Sequence, residues 1–459
     1  MNRLRYRLYR FASALRYRVP RRFTPAGMLA LAGLIVSGAI GMDMDQTVAF
    51  QAFAFVVCLL VVSLVSALFF RGKFTVRRVL PRFGSVGQSF SYAVQIRRLA
   101  GHTQRDLEWL EDVADPRPTF AEYVRVRRAH RKNRSFGKLF SPPRHAEPRV
   151  ATVREAAIPS LSGRGEAESR VQIVPLRRGP LRFTGVTIAR PDPFGLVRGF
   201  VRMKLPETVL ILPKRYPLPP ITLPGTRSYQ RGGVSLATAI GESEEFVSLR
   251  DYRPGDPVRH IHWRSWARTG RPIVKEFQDE FFVRHALILD TFIDGRRESF
   301  DTGEGVTSPI FEEAISVAAS FACTVGTQES LLDLLFVGPK AVCFTTGRGL
   351  GQAEQALEVL ASVQPCAEEP FTVLQELVLR HAEAVCGCVC VFLGWDEPRR
   401  ELVRQLRMRS LPVVVLILAE AREAKRLRDS IGSEAGENVL VLEVGMVAEE
   451  LQALEAILP

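Results

Sequence analysis

Cysteine is scarce in this sequence, which has 7 cysteines among 459 residues. Small secreted proteins that are held together by disulfides are much richer in cysteine, so that class is excluded. The cysteines lack the paired spacing of zinc-binding motifs, and the glycine-rich segment 347–351 lacks the Lys-Ser/Thr pair of a phosphate-binding loop. We therefore expect no cofactor.

Acidic residues are nearly absent from two short segments, and these segments account for the net charge of +13. Residues 1–78 contain 12 basic and 2 acidic residues, and residues 125–144 contain 8 basic and no acidic residues. The basic excess is thus local, and we expect no nucleic-acid partner. Segment 125–144 is typical of a solvated loop or hairpin, and the alternative is a second contact with the membrane surface.

Charged residues are also missing from two apolar segments near the N-terminus, at about residues 24–42 and 46–70. About 20 apolar residues are needed for a helix to cross the hydrocarbon core of a bilayer. Residues 1–74 are therefore predicted to form a basic N-terminus and a transmembrane helical hairpin. A cleaved signal peptide is the alternative, but a cleavage site rather than a second apolar segment would follow it.

Basic residues flank this hairpin at its two outer ends only. Eight arginines precede the first apolar segment, four basic residues follow the second, and the short connector has none. The positive-inside rule then places both termini and the main domains in the cytoplasm. We expect a multi-pass protein of the bacterial cytoplasmic (inner) membrane, whose hairpin and basic blocks contact membrane lipids.

The remaining chain divides into three segments, which together predict a membrane-anchored α+β/α/β protein. Residues 75–220 contain short strand-like runs broken by glycine and proline, which predict a small β-sandwich-like domain. Residues 221–280 form a charged signature segment. In residues 281–459, continuous apolar runs alternate with helical patterns, which predicts a mostly parallel sheet covered on both faces.

The most specific motif is GESEEFVSLRDYRPGDPVRHIHWRSWARTGRPIVKEFQDE, at residues 241–280. Arginine and carboxylate side chains form bidentate, charge-assisted pairs, so one interpretation is a salt-bridged clasp that locks the segment to its neighbours. The other interpretation is a docking surface or a polar pocket. The candidate residues are Glu245, Arg250, Tyr252, Pro254, Gly255, Asp256, Arg259, His262, Trp263 and Arg268.

Two histidines in this motif suggest a metal or catalytic site. His260 and His262 would share one face of a strand, but no third ligand has a recognisable spacing. We expect a structural or hydrogen-bonding role for them. A hydrolase centred on His262 is an alternative, and it requires a nucleophile within hydrogen-bond reach of His262 in a cleft.

The motif resembles the signature of the domain-of-unknown-function 58 family. A second element, Arg178-Gly179-Pro180 followed by residues 192–196, is also similar to that family. The resemblance implies a membrane-anchored partner of a MoxR-type AAA+ ATPase, with a von Willebrand factor A-like, Rossmann-type C-terminal domain. It implies no enzymatic activity. The expected function is a non-enzymatic scaffold or adaptor in complex assembly or envelope maintenance.

The resemblance also implies a place for a cation. Von Willebrand A-type domains carry Asp-x-Ser-x-Ser after their first strand, whereas residues 290–294 read DTFID, without either serine. Asp290, Asp294 and Asp396 remain as candidates, and a divalent ion needs about six oxygen ligands. We predict a degenerate corner without a tightly bound metal, and the alternative is a metal-dependent binding protein. The arginines that could neutralise the carboxylates are Arg296, Arg297, Arg399 and Arg400.

Overall fold

The chain divides into two compact units in the computed structural model. The first contains residues 1–216, 291–320 and 355–369, and the second contains residues 217–290, 321–354 and 370–459. The residues described within these units are 2–40, 47–99, 104–114, 120, 124, 150–161, 165–219, 244–256, 258–279, 283–293, 308–327, 330–347, 350–366, 369–431 and 438–452. The basic segment 125–144 lies outside the described residues.

Three helices begin the first unit: α1 (Asn2–Arg22), α2 (Pro25–Ile40) and α3 (Thr47–Leu68). Val48–Leu68 is long and apolar enough to cross a membrane, and Pro25–Ala39 is a shorter apolar helix. At 1.5 Å per residue, α3 is about 33 Å long, against a hydrocarbon core of about 30 Å. The described residues therefore contain one helix of spanning length where the sequence predicts two.

Two facing sheets confirm the predicted β-sandwich-like region. The first sheet has the order β1-β3-β7-β5, and the second has the order β2-β9-β8-β4-β6. Their inner faces share one hydrophobic core. The strands are β1 (Phe74–Val79), β2 (Phe83–Ser85), β3 (Phe90–Arg98), β4 (Leu107–Val113), β5 (Ala151–Val153), β6 (Ala156–Ile158), β7 (Glu166–Pro175), β8 (Gly179–Pro191) and β9 (Arg198–Leu212).

A buried polar cluster interrupts this apolar core. The Glu111 carboxylate accepts hydrogen bonds from Arg78 Nη2 at 2.6 Å, from the Tyr92 hydroxyl at 2.5 Å and from Trp109 Nε1 at 2.6 Å. Arg78 and Glu111 side chains have no exposed surface. Burial and the neighbouring Glu111 charge raise the pKa of Tyr92, so its hydroxyl stays a donor. Each oxygen of the Glu111 carboxylate therefore accepts at least one hydrogen bond inside the apolar core.

A six-stranded sheet forms the centre of the second unit, in the order β14-β13-β12-β15-β16-β17. Edge strand β14 is antiparallel to β13, and the other neighbours are parallel, which confirms the mostly parallel sheet. The strands are β12 (Val283–Leu289), β13 (Ser330–Val337), β14 (Ala341–Thr346), β15 (Gly387–Phe392), β16 (Val413–Ala419) and β17 (Val439–Glu443).

Strands β15 and β16 are buried at every position, because both faces of the sheet are covered. Chain order reverses around β12, whose neighbours are β13 and β15, so the carboxyl ends of β12 and β15 form the topological switch point of the sheet. The helices that follow α3 are α4 (Trp263–Thr269), α5 (Pro309–Thr327), α6 (Leu350–Ser362), α7 (Thr372–His381), α8 (Glu397–Met408), α9 (Ala421–Ile431) and α10 (Val447–Gln452).

Candidate functional site

The signature segment folds as a hairpin of its own, which we call the signature hairpin (residues 244–279). Its strands, β10 (Glu244–Asp251) and β11 (Ile273–Asp279), form a separate two-stranded antiparallel sheet. A turn with Pro254 and Gly255, a short 3-10 helix and α4 connect them. Gly255 has φ 108°, a conformation that glycine adopts without Cβ strain.

One bidentate ion pair closes this connection. Arg250 Nη1 and Nη2 each lie 2.8 Å from an oxygen of Asp256, and the Arg253 backbone N–H donates to the same carboxylate at 2.8 Å. These hydrogen bonds, with that from the Arg250 guanidinium the strongest, lower the pKa of Asp256 to about 2. The pair holds the turn against the end of β10.

The other arginines of the predicted clasp are not held in this way. Arg259, Arg264 and Arg268 are exposed, and no ion pair joins them to another residue that the structure describes. Glu245 lies opposite Gln278 in the hairpin, and its side chain is not among those that the structure describes. The clasp therefore consists, within the described residues, of the Arg250–Asp256 pair alone, and three cationic side chains point into solvent.

Two tryptophan side chains lie in the same segment as these three exposed arginines. The rings of Trp263 and Trp266 stack at 5.3 Å between centroids and 20° between planes. Trp263 is 60% exposed, and Val258 and Leu249 are also exposed. Tyr252 is half-buried, and its backbone N–H donates to the Pro272 carbonyl at 3.0 Å. Exposed tryptophan beside arginine is the composition that dominates the energetics of protein interfaces.

The two histidines do not lie on a strand face, so that prediction was wrong. His260 ends a 3-10 helix, and His262 is the N-cap residue of α4, because the chain turns into a helix here. His262 Nδ1 lies 2.6 Å from the Ser265 hydroxyl. The hydrolase interpretation requires such a nucleophile, but the described residues place no carboxylate on the imidazole. The pair lies in the first turn of α4, where both side chains are half-buried.

The acidic corner lies at the switch point of the six-stranded sheet. Asp290, fully buried at the end of β12, accepts Arg399 Nε at 2.7 Å and the Leu393 backbone N–H at 3.0 Å. Arg399 Nη1 also lies 2.5 Å from Asp396, which is the N-cap residue of α8. Among the residues that the structure describes, Arg399 is thus the arginine that pairs with both carboxylates.

Arg399 keeps its positive charge in this corner. Burial alone would lower the pKa of Arg399, but Asp290 and Asp396 together raise it above the usual value. Arg400 instead lies over the Trp395 ring at 6.0 Å, and Asp294, Arg296 and Arg297 are outside the described residues. In the part of the chain that the structure describes, no three His, Cys, Asp or Glu side chains are grouped as metal ligands.

The second sequence element joins the sandwich to the N-terminal helices. Asp192 accepts backbone N–H groups of Leu196 and Val197, both at 2.7 Å, and so shapes the loop between β8 and β9. This loop holds Thr24, just before α2: the Thr24 N–H donates to the Leu196 carbonyl at 3.0 Å, and the hydroxyl donates to the Gly195 carbonyl at 2.5 Å. Residues 192–197 therefore fix the start of an apolar helix to the sandwich, a role that the sequence did not reveal.

The Arg178-Gly179-Pro180 triplet has a capping role. Arg178 donates to the carbonyls of Leu360 and Val363, at the C-terminal end of α6, at 3.2 and 2.5 Å, and its Nη1 lies 2.6 Å from Glu312 of α5. A cation at a helix C-terminus satisfies carbonyls that have no partner in the helix. These contacts join segments 291–320 and 355–369 to the sandwich within the first unit.

Solved structures resemble part of the chain weakly. The CARDB domain of PF1109 from Pyrococcus furiosus is 11% identical, with a TM-score of 0.16 over 30% of this chain and 93% of that one. The ASH/PapD-like domain 7 of human CEP192 is 10% identical, with a TM-score of 0.16 over 30% of this chain and 87% of that one. At these TM-scores neither likeness carries an argument.

Sequence comparisons are more specific. Residues 248–424 match the family model described as protein of unknown function DUF58. The uncharacterized protein YeaD of Bacillus subtilis (strain 168) is 25% identical over 199 residues, which are 42% of this chain and 45% of that protein. The match thus spans less than half of the relative's length. The signature hairpin from residue 248 onward and the acidic corner both fall within the matched residues, and the chain is a distant homologue of YeaD that carries a DUF58 family domain.

Proposed function

We propose that this protein is a non-enzymatic, membrane-anchored scaffold that binds an acidic partner protein through the signature hairpin. One observation carries the proposal: residues 259–268 contain three exposed arginines without described acidic partners together with a stacked tryptophan pair. We call this set the signature surface; it consists of Arg259, Trp263, Arg264, Trp266 and Arg268. Arginine and tryptophan anchor interfaces because they combine apolar area with directed hydrogen bonds.

The anchor is the proposed two-helix hairpin, with both termini in the cytoplasm of a bacterial cell. It is supported by the spanning length of α3 and by the packing of α2 on α3, where a Cβ atom at Gly38 would lie 3.2 Å from the Phe53 ring. The basic residues on both outer ends favour this orientation. The signature surface would then face the cytoplasm.

The partner that the family resemblance implies is a MoxR-type AAA+ ATPase, and the signature surface has the chemistry for an acidic patch on such a protein. A von Willebrand factor A-like fold for the second unit belongs to the same proposal, supported by the doubly wound order of the six-stranded sheet. Complex assembly or envelope maintenance is the process that we propose for the pair.

Charge reversal on the signature surface tests this function. Arg264→Glu with Arg268→Glu inverts two exposed charges four residues apart on α4, and a matched control, Arg422→Glu with Arg426→Glu, does the same on α9. Full-length protein in detergent should retain a co-expressed MoxR-type ATPase when it is unaltered or carries the control pair. It should lose the ATPase when it carries the α4 pair. Equal retention by all three proteins, or no retention in any nucleotide state, would contradict the proposal.

The hydrolase alternative is kept because His262 lies 2.6 Å from a serine hydroxyl. It predicts that His262→Ala and Ser265→Ala each abolish function in cells without loss of ATPase binding. The scaffold proposal predicts the opposite: either variant frays the first turn of α4 and leaves cellular function in proportion to the binding that remains.

A further inference from the structure

Helix α1 carries an apolar stripe that is exposed among the residues that the structure describes. Leu4, Leu8, Phe11 and Leu15 are all exposed, Phe11 by 68%. Their spacing of four, three and four residues places them on one face of the helix. A soluble helix would bury such a face, so the stripe calls for an apolar environment beyond the described part of the chain.

Arginine borders this stripe. Helical spacing places Arg7 beside Leu4 and Phe11, and it places Arg18 beside Leu15. Residues 1–22 contain eight arginines and no acidic residue. The opposite face is occupied by tyrosine, and the Tyr6 ring lies 5.3 Å from that of Phe120. An apolar stripe with arginine at its margin is typical of helices that lie in a membrane interface.

The end of α1 is held where the proposed hairpin enters the membrane. α1 ends at Arg22, and α2 begins at Pro25 after Thr24, which the loop between β8 and β9 holds. Phe194, in that loop, is 52% exposed, and Phe69, directly after α3, is 76% exposed. Exposed phenylalanines thus lie beside both apolar helices: Phe194 in the loop that holds the start of α2, and Phe69 directly after α3.

We propose that α1 lies in the plane of the cytoplasmic membrane surface, with its apolar stripe among the upper acyl chains and its arginines at anionic phospholipid headgroups. The inference rests on the membrane anchor of the proposed function and not on the partner at the signature surface. Arginines near an anionic bilayer surface are attracted to it, so this basic helix favours the placement. Arg21 is excepted, because it pairs with Asp112 at 2.9 Å.

Charge decides between lipid and a second copy of the chain. Paired helices with such a stripe would bring two strongly basic segments together, and residues 1–22 contain no acidic residue to compensate them. Helix pairs normally place opposite charges beside the apolar seam. An anionic bilayer supplies that negative charge, and it also supplies the apolar layer.

A matched pair of tryptophan probes tests the placement in the full-length protein. Phe11→Trp puts an indole on the apolar stripe, whereas Tyr9→Trp puts one on the opposite face, and both replace one aromatic ring by another. Each variant is reconstituted in phosphatidylcholine vesicles with and without phosphatidylglycerol, and lipids brominated in the upper acyl chain quench indoles that reach them. The four native tryptophans provide the same background in both proteins.

The expected result is extra quenching for Phe11→Trp and none for Tyr9→Trp, with a larger difference when phosphatidylglycerol is present. Equal quenching of the two variants, or quenching that phosphatidylglycerol does not change, would overturn the proposal. Vesicle flotation at high salt tests the anchor separately. Protein that floats without selective quenching has the anchor but not the in-plane helix, and ATPase binding by the signature surface remains an independent measurement.

Discussion

Two regions of this protein each place one arginine between two carboxylates, and they do so in different environments. In the β-sandwich, Arg78 contacts Glu111 and Glu207, and neither Arg78 nor Glu111 is exposed. At the switch point of the six-stranded sheet, Arg399 contacts the buried Asp290 and also Asp396, whose side chain is 53% exposed. The outer carboxylate is thus 32% exposed in the first region, where it is Glu207, and 53% exposed in the second, so the first group of charges is the more enclosed.

The ion cluster of the β-sandwich serves the packing of its core, whereas the cluster at the switch point is accessible to solvent on one side. Glu111 is saturated by arginine, tyrosine and tryptophan donors inside an apolar core, where an unpaired charge would be very costly. The Asp290 corner lies at the carboxyl ends of parallel strands, where α/β proteins bind ligands, and its outer carboxylate faces solvent. The partly exposed Arg250–Asp256 pair of the signature hairpin is a third case, in which solvent partly screens the charges.

Removal of Glu111 should have the largest effect. Glu111→Gln leaves the buried Arg78 without its main counter-charge, and we expect the free energy of unfolding to fall by about 3–5 kcal/mol. Urea unfolding of the full chain in detergent, with hydrogen exchange in β3 and β4 as the local readout, measures this loss. Glu168→Gln on the exposed face of β7 is the control. A similar loss in both variants would show that burial does not distinguish them.

Asp290→Asn should have a smaller effect, because Arg399 keeps Asp396 as a partner. We expect a loss of about 1–3 kcal/mol, seen as faster hydrogen exchange in β15 and α8. Asp396→Asn should cost less than about 1 kcal/mol, since this pair is partly exposed and asparagine also caps helices well. An equal loss for the two variants would contradict the distinction between the inner and outer carboxylate.

Removal of the arginine should change the response of the corner to metal. In the unaltered chain a divalent ion must displace Arg399 from Asp290, so calorimetric titration with Mg²⁺ or Mn²⁺ should show no micromolar binding. Arg399→Ala leaves two neighbouring carboxylates, and we expect it to gain measurable binding that an added Asp290→Ala removes. Micromolar binding by the unaltered chain that Asp290→Ala abolishes would support the metal-dependent alternative.

The signature hairpin should show the smallest effect, confined to acid pH. The folded pKa of Asp256, about 2, lies below the unfolded value of about 3.9. The pair therefore stabilises the hairpin at neutral pH, and this contribution is lost as the pH falls from about 4 through about 2. Fluorescence of the Trp263–Trp266 stack should report the transition. Asp256→Asn should remove it, and a transition of unchanged size in that variant would assign it to another group.

The six-stranded sheet was predictable because its strands are buried on both faces and are therefore apolar at consecutive positions. The apolar runs at residues 331–337 and 438–444 correspond to β13 and β17 within one residue at each end. Helix α9 escaped prediction because charged residues dominate its sequence, although Ala424, Leu427 and Ile431 recur at helical spacing. Helix α1 escaped because its arginines were interpreted as a charge block rather than as the polar margin of an amphipathic helix.

The residue types of the candidate site were predictable from the sequence, but the ion pairs that they form were not. Sequence spacing suggested several arginines for the acidic corner and several acidic partners for the signature arginines. Asp396 caps α8, so Arg399 stands in the first turn of that helix and reaches back to Asp290, whereas Arg400 faces the Trp395 ring. In the signature hairpin, the turn at Gly255 returns Asp256 to Arg250 and leaves the other arginines exposed.

The sequence by itself determined the apolar helices, the β-sandwich-like region, the mostly parallel sheet and the family resemblance, because each depends on local periodicity or on a contiguous motif. Only the tertiary structure decided which charges meet. Asp290 and Arg399 are 109 positions apart, and Arg78 and Glu111 are 33 apart. Ion pairs over such separations depend on strand order and helix start, and these follow from the packing of the whole chain rather than from its local pattern.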